Sequence, residues 1–259
     1  MTESANLEAS SIASNWRVVG ASVCGTGHQK RSLPCQDYHA WQVLENGALV
    51  AAVADGAGSA AWSQIGSEIA VKSAISFLAD RASTRLYQSS LSEAIAFACE
   101  QVKAEARDRD IAVRELASTL IVAVATAEKI AIVQIGDGAA ILRDRHQNLV
   151  SLTVPQTGEY ANETTFLVSE GALESAQYKV WEGQADRLAL FSDGLQLLAL
   201  KMPEAEPHAP FFAPLFQFIS QPMEDAAATE QLEKFLRSDR VSKRTDDDLT
   251  LLLACLDWG

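Results

Sequence analysis

Hydrophobic residues fall along this chain in two rhythms. From Trp16 the run W-R-V-V-G-A-S-V reads as a strand and Tyr38 to Val43 as a second, joined by a Gly-, His- and Lys-rich loop that reaches Pro34. After the turn dipeptide Asn46-Gly47, the run from Ala48 to Ala54 is apolar at nearly every position, as expected of a strand buried on both faces. Ser63 to Arg81 and Ser90 to Arg107 instead place apolar residues at helical spacing, among them Ile65, Ile69, Leu91 and Ile95, and predict two amphipathic helices lying side by side on a sheet. Strands return at Ser118 to Ala125, Lys129 to Ile135, Ala139 to Arg143 and Leu149 to Thr153. A loop over Val154 to Asn162, a short strand at Thr164 to Val168 and a buried strand at Arg187 to Ser192 follow. Pro203 to Pro214 reads as a connector, Leu215 to Ile219 and Ala226 to Arg237 as helices, and Asp248 to Leu256 as a last strand. Strands grouped in sequence around two long helices are not an alternating β-α-β chain. The pattern predicts an α+β fold, a layered α-β-β-α sandwich of two antiparallel sheets flanked by helices.

Composition narrows the class of protein. With 259 residues and 48% hydrophobic content the chain can bury a full core, and residues 16–259 read as one domain behind a flexible, polar lead-in at 1–15. A net charge of -13 is the wrong footprint for nucleic acid, because sequence-independent binding rests on Lys and Arg neutralising phosphates. The cysteines Cys24, Cys35, Cys99 and Cys255 are far apart and form no C-x-x-C pair, so neither a disulfide framework nor a zinc site is indicated and a reducing cytoplasm is expected. No run approaches the ~18 apolar residues a membrane span requires. A monomer without membrane or nucleic-acid partners is the expectation.

The acids that change the picture stand at strand ends. Ala48 to Ala54 stops at Asp55, Lys129 to Ile135 runs into Gly136-Asp137, Arg187 to Ser192 stops at Asp193, and Asp246, Asp247 and Asp248 precede the last strand. Any one Asp-Gly is good turn chemistry. Their recurrence after fully apolar strands, without Lys or Arg close to Asp55, Asp137 or Asp193 in sequence, points instead to carboxylates that share a cation. With no Cys or His companion the donor set is all oxygen, which suits Mg²⁺ or Mn²⁺ over zinc.

Six motifs then occur in order: G-T-G-H-Q-K-R-S-L-P-C-Q-D-Y-H, V-A-D-G-A-G-S, A-S-T-L, I-G-D-G-A-A-I-L, F-S-D-G-L and D-D-D-L-T-L-L-L. Together they resemble the type 2C metal-dependent Ser/Thr protein phosphatases, and G-E-Y-A-N-E-T-T-F-L looks like a bacterial branch of that family. The resemblance spans Trp16 to Leu256. It implies that Asp37 sits on one metal, that Asp55 bridges two, that the Gly56 carbonyl contacts the second, and that Asp193 and Asp247 complete the first metal's shell. Asp137 stands where some relatives hold a third metal with the equivalent of Asp193; a turn-stabilising role is its other reading. The implied activity is hydrolysis of phosphoserine and phosphothreonine in a phosphoprotein substrate, with a signalling role, by a water bridging two Mn²⁺ or Mg²⁺ ions about 3.5–4 Å apart.

The chain also departs from the pattern. The arginine usual five residues before the first aspartate is Ser32, so Arg31, Lys30 or His28 is expected to hold the substrate phosphate in its place. Ala57 stands where eukaryotic relatives carry a histidine, and Asp248 replaces the usual asparagine. Asp248 either adds negative charge beside the metal or, with Asp246, faces solvent while Asp247 points inward. The alternatives are a catalytically weak, phosphatase-like binding or sensing module, and a metal-dependent hydrolase of another substrate class, such as a phosphodiesterase.

Overall fold

The computed structural model describes residues 15–81, 88–156 and 164–257. The predicted lead-in lies outside them, apart from Asn15. The chain begins with β1 (Asn15–Val23), a one-turn helix α1 (Thr26–Lys30), β2 (Tyr38–Val43) and β3 (Leu49–Ala54). Two long helices follow, α2 (Ser63–Ala79) and α3 (Gln88–Asp108), then the meander β4 (Leu120–Ala125), β5 (Lys129–Ile135), β6 (Ala139–Asp144) and β7 (Leu149–Thr153). A short α4 (Ala172–Ser175) leads to β8 (Gln177–Glu182) and β9 (Ala185–Phe191). After α5 (Gln196–Ala199) a small ribbon pairs β10 (Leu200–Lys201) with β11 (Glu206–Pro207). The chain closes with α6 (Ala209–Ile219), α7 (Asp225–Leu236), α8 (Asp239–Ser242) and β12 (Leu249–Asp257).

These strands form two antiparallel five-stranded sheets, ordered β2-β3-β4-β5-β8 and β1-β12-β9-β6-β7. Side chains alternate across each strand and so serve two layers at once. On β3, Val50, Ala52 and Ala54 pack toward α2 and α3, while Leu49, Ala51 and Val53 enter the interior between the sheets. On β12, Leu251, Leu253 and Cys255 pack toward α6 and α7, while Leu252, Ala254 and Leu256 face that same interior. Helices cover both outer faces, which is why these antiparallel strands read as unbroken apolar runs. The α-β-β-α sandwich predicted from the pattern is the observed one.

Besides the short α1, α4 and α8 and the β10–β11 ribbon, which the pattern did not show, three larger segments differ from the sequence reading. Thr164 to Val168 is not a strand: Leu167 donates one backbone bond to the Ser118 carbonyl (2.8 Å), the chain then turns, and Phe166 and Val168 pack on Ala57, Ala60 and Ala117. The expected connector from Pro203 holds the start of α6, which begins six residues before Leu215. Its Pro210 lies in the first turn, where no N–H is needed, and Pro214 is tolerated inside because Phe212, Leu215, Phe216 and Ile219 bury a full face. Finally, β8 went unread because its residues are only half-buried at a sheet edge, so they carry no clean alternation.

Helix α2 starts immediately beyond the loop that follows β3, and its Gly66 lies flat on the turn at Val113–Leu116, where a Cβ would overlap the Leu116 carbonyl. Gly66→Ala is expected to destabilise the fold by about 1–3 kcal/mol, read by urea denaturation, through overpacking at this contact. An unchanged midpoint would show that the helix can lift away freely.

Candidate active site

Antiparallel pairing brings the strand-end acids to one rim of the sandwich. Tyr38, at the start of β2, pairs with Ala54 at the end of β3, so Asp37 and Asp55 are neighbours. In the other sheet Phe191, at the end of β9, lies opposite both Leu251 of β12 and Ala139 of β6, which gathers Asp193, Asp247 and Asp137 at the same edge. The sheets are joined there by the Ser192 hydroxyl, which donates to Asp37 Oδ2 (2.7 Å) and accepts from the Thr250 N–H (3.0 Å).

Neutral groups set each acid in place. Thr119 accepts the Asp55 N–H at Oγ1 (2.9 Å) and returns its own N–H to the Asp55 carbonyl (2.8 Å), while Ser118 bridges to Gly56. The turn carrying Asp137 is braced by the buried Gln134 amide, which donates to the carbonyls of Gly136 (3.0 Å) and Gly138 (2.8 Å), and by Gln196, which donates to the Asp137 carbonyl. Gly136 has φ +105°, so only glycine adopts this turn without strain. The Thr164 hydroxyl donates to Asp137 Oδ2 (2.6 Å). The A-S-T-L motif and the serine of F-S-D-G-L thus support the aspartates, roles that sequence reasoning did not assign.

Asp55, Asp137 and Asp193 offer carboxylate oxygens that all lie within 4.8 Å of one another. Asp37 lies against Asp55, and Asp247 faces Asp137 and Asp193 from a more exposed position. Asp137, given two readings from sequence, belongs to this tight group. Burial pushes Asp37 up to about 7, with the Ser192 hydroxyl opposing it and the Asp248 charge adding to it. Asp55 is held well above the ordinary carboxylate range, first by burial and then by the charges of Asp37 and Asp193. Asp193 is raised to about 6 by burial, with the charges of Asp137 and Asp247 adding. None of these causes includes a cation; the ion pairs near β9 lie at its other end, at Arg143 and Asp186.

One oxygen each of Asp37, Asp137 and Asp193 is buried without a hydrogen-bond partner among the described residues. Crowded, partnerless, all-oxygen donors are the chemistry of a hard divalent cation, so the residues fit Mg²⁺ or Mn²⁺.

The basic loop is arranged differently from its sequence reading. His28 is buried, with Nδ1 donating to Asp248 Oδ2 (2.8 Å), and is therefore withdrawn from holding a substrate phosphate. Lys30 and Arg31 remain exposed, though Arg31 Nε turns back to the Gly27 carbonyl (3.2 Å). Ser32, in the arginine's place, ends α1 with φ +56°, a left-handed position at which a long side chain is disfavoured. The solvent-facing reading of Asp248 is likewise corrected, since Asp248 is buried, and Asp247, expected to point inward, is exposed along with Asp246. His39 is a packed residue bonded to the Ser22 hydroxyl (2.7 Å), its pKa lowered to about 4 by burial.

Residues 24–237 match the family model described as protein phosphatase 2C. The chain belongs to the protein phosphatase 2C family. It is 35% identical over 249 residues to serine/threonine-protein phosphatase 3 of Escherichia coli K12, covering 93% of this chain and 98% of that protein. Membership makes it a metal-dependent protein serine/threonine phosphatase, as the six motifs implied. Among solved structures of the same fold are the phosphatase Stp1 of Staphylococcus aureus and the catalytic domain of PstP in complex with two manganese ions. Stp1 matches at 14% identity with TM-score 0.65, covering 94% of this chain and 96% of that one. PstP matches at 18% identity with TM-score 0.60, covering 93% and 98%.

Because Asp37, Asp55 and Asp193 hold protons in the folded phosphatase that the unfolded chain has already lost, metal-free stability falls as pH rises through the window between the ordinary Asp value, about 4, and the raised folded values. In EDTA the melting temperature should drop from about pH 5 to about pH 8, and Mn²⁺ should raise it more at the upper end. A melting temperature that climbs with pH in EDTA would contradict the crowding.

Proposed function

We propose that this phosphatase hydrolyses phosphoserine and phosphothreonine in a cytoplasmic phosphoprotein, as a monomeric catalytic unit over residues 16–259, using Mn²⁺ or Mg²⁺ held by Asp37, Asp55, the Gly56 carbonyl, Asp193 and Asp247. Asp137 would share a third ion with Asp193. The observation that carries this reading is the convergence of Asp55, Asp137 and Asp193 on one point with partnerless oxygens beside it. Bound divalent cations would neutralise phosphoryl charge and activate water as the nucleophile.

The chain's own residues do the rest. Asp55 lies between Asp37 and Asp193 and can face two ions at once; the Ser192 hydroxyl keeps the Asp37 carboxylate from rotating away, and the Thr119 hydroxyl fixes the Asp55 backbone. Lys30 and Arg31, exposed on and just after α1, are the cations offered to the substrate phosphate. A cysteine nucleophile is disfavoured, since burial raises the Cys35 thiol far above neutrality and no thiolate forms there. The four cysteines are free, in keeping with a reducing compartment, and no helix among the described residues is long and apolar enough to cross a membrane.

Phosphopeptide hydrolysis should require added Mn²⁺ or Mg²⁺ and stop in EDTA. Asp55→Asn removes one negative charge with little change of shape and should lower kcat/KM by at least about 100-fold, equivalent to about 2.7 kcal/mol of transition-state stabilisation, with the circular dichroism spectrum intact. Turnover that survives rigorous chelation would refute the mechanism. Inactivity of the wild type, together with equal phosphopeptide binding by wild type and Asp55→Asn, would favour the binding-module alternative.

Arg31→Ala should raise KM for a phosphopeptide more than Lys72→Ala, a control on the outer side of α2, where Lys72 pairs with Glu68. Equal KM values would remove Arg31 from substrate binding.

A further inference from the structure

The first chemistry beyond the aspartate cluster is the buried pair His28–Asp248. Asp248 accepts three donors: the Gly25 N–H at Oδ1 (2.7 Å), and the Gln36 N–H (2.6 Å) and His28 Nδ1–H (2.8 Å) at Oδ2. Both side chains are nearly out of solvent, 4% exposed for His28 and 2% for Asp248. Three of the residues beside Asp248 each adjoin an acid of the cluster. Gln36 precedes Asp37, Asp247 precedes Asp248 itself, and Gly194, after Asp193, lies so close that a Cβ there would overlap the Asp248 carbonyl. The segment holding His28 is sealed onto the same strand end. Gly27 donates its N–H to the Asp246 carbonyl (2.7 Å), and a Cβ on Gly25 would overlap the Asp247 carbonyl.

We infer that His28 and Asp248 are positioning residues: a buried clamp that fixes the spacing of Asp37, Asp193 and Asp247 and so sets how tightly the site holds divalent cations. The inference rests on the metal-binding reading of those aspartates. The physical reason is the number and direction of the donors. A carboxylate can satisfy all three, whereas the asparagine of the family pattern would turn an NH₂ toward either Gly25 N–H or Gln36 N–H, donor against donor. His28 supplies the one side-chain donor. Without it, an oxygen of Asp248 loses a partner in a buried site, and the carboxylate is free to turn toward the already crowded acids and shift the Gln36–Asp37 backbone with it.

The test is Mn²⁺ titration by calorimetry on the full chain stripped of metal, with thermal melting alongside, for four proteins: wild type, His28→Ala, His28→Asn and Asp186→Asn. His28→Ala should bind Mn²⁺ about 10–100-fold more weakly, and His28→Asn, whose amide can still donate to Asp248, should recover most of that loss. Asp186→Asn breaks the bidentate Arg143 pair (3.1 and 2.8 Å) at the far end of β9 and serves as the stability control; it should lower the melting temperature while leaving Mn²⁺ affinity alone. If His28→Ala melts lower but binds Mn²⁺ as wild type does, the pair is structural only and the clamp is refuted. If His28→Asn is as weak as His28→Ala, the hydrogen bond to Asp248 is not what matters, and the clamp is refuted again. Wild type that takes up no Mn²⁺ overturns the metal reading and the clamp with it, an outcome distinct from either of those.

Discussion

Carboxyl groups crowded at a half-buried rim repel one another, and this cost shapes the structure around them. Asp37, Asp55 and Asp193 are held above the ordinary carboxylate range because too little solvent reaches them and the charges that act on them are those of other acids. A site of this kind is stable in its ionised form only with divalent cations present. Until they arrive, the acids must be held against their own repulsion. The holding groups are neutral and directional, namely the hydroxyls of Thr119, Thr164 and Ser192 and the amide of Gln134, and they restrain the acids without neutralising them. Oxygens are thereby left unpaired for a metal.

The rigid part of the fold is what makes this tolerable. The acids stand at the ends of strands whose side chains are buried on both faces, between an interior shared by the sheets and an outer layer of helices. Groups carried on such elements are placed more tightly than groups on loops. The site also spans the two sheets: Asp37 and Asp55 come from one, Asp193 and Asp247 from the other, with Asp137 on the crossing between them. Cations bound there would tie the layers together, so metal affinity and the relative setting of the sheets are linked.

The loop from Cys24 to Gln36 shows how a family pattern is rebuilt around a changed residue. Ser32, following α1 in a left-handed conformation, offers no charge at that position, and His28 of the same loop turns inward to Asp248. An acid in place of the usual asparagine is then no surplus charge near the metals. It is the acceptor for three donors and holds the loop on the start of β12.

Much of this was legible in the sequence. Apolar runs such as Leu49–Ala54 and Leu120–Ala125 are long enough, and bounded sharply enough, to read as strands buried on both faces, and the aspartates that end them are conspicuous because ionised groups are costly there. The α-β-β-α class and the candidate acids therefore followed from local pattern and from the motifs. What the pattern could not decide were contacts between segments far apart in the chain. Asp248 reads as a third solvated acid in D-D-D, and only its pairing with His28, 220 residues away, shows it to be buried. Asp137 reads equally well as a turn residue until Gly136, Gln134 and Thr164 are seen to fix it against Asp193. Helix α6 starts inside a proline-rich stretch because Phe212 and Phe216 find a sheet to cover, and β8 exists because β5 offers it an edge. Local propensity sets which segments become strands or helices; burial, pairing and the partners of each polar atom are properties of the assembled fold, and the fold alone decided them.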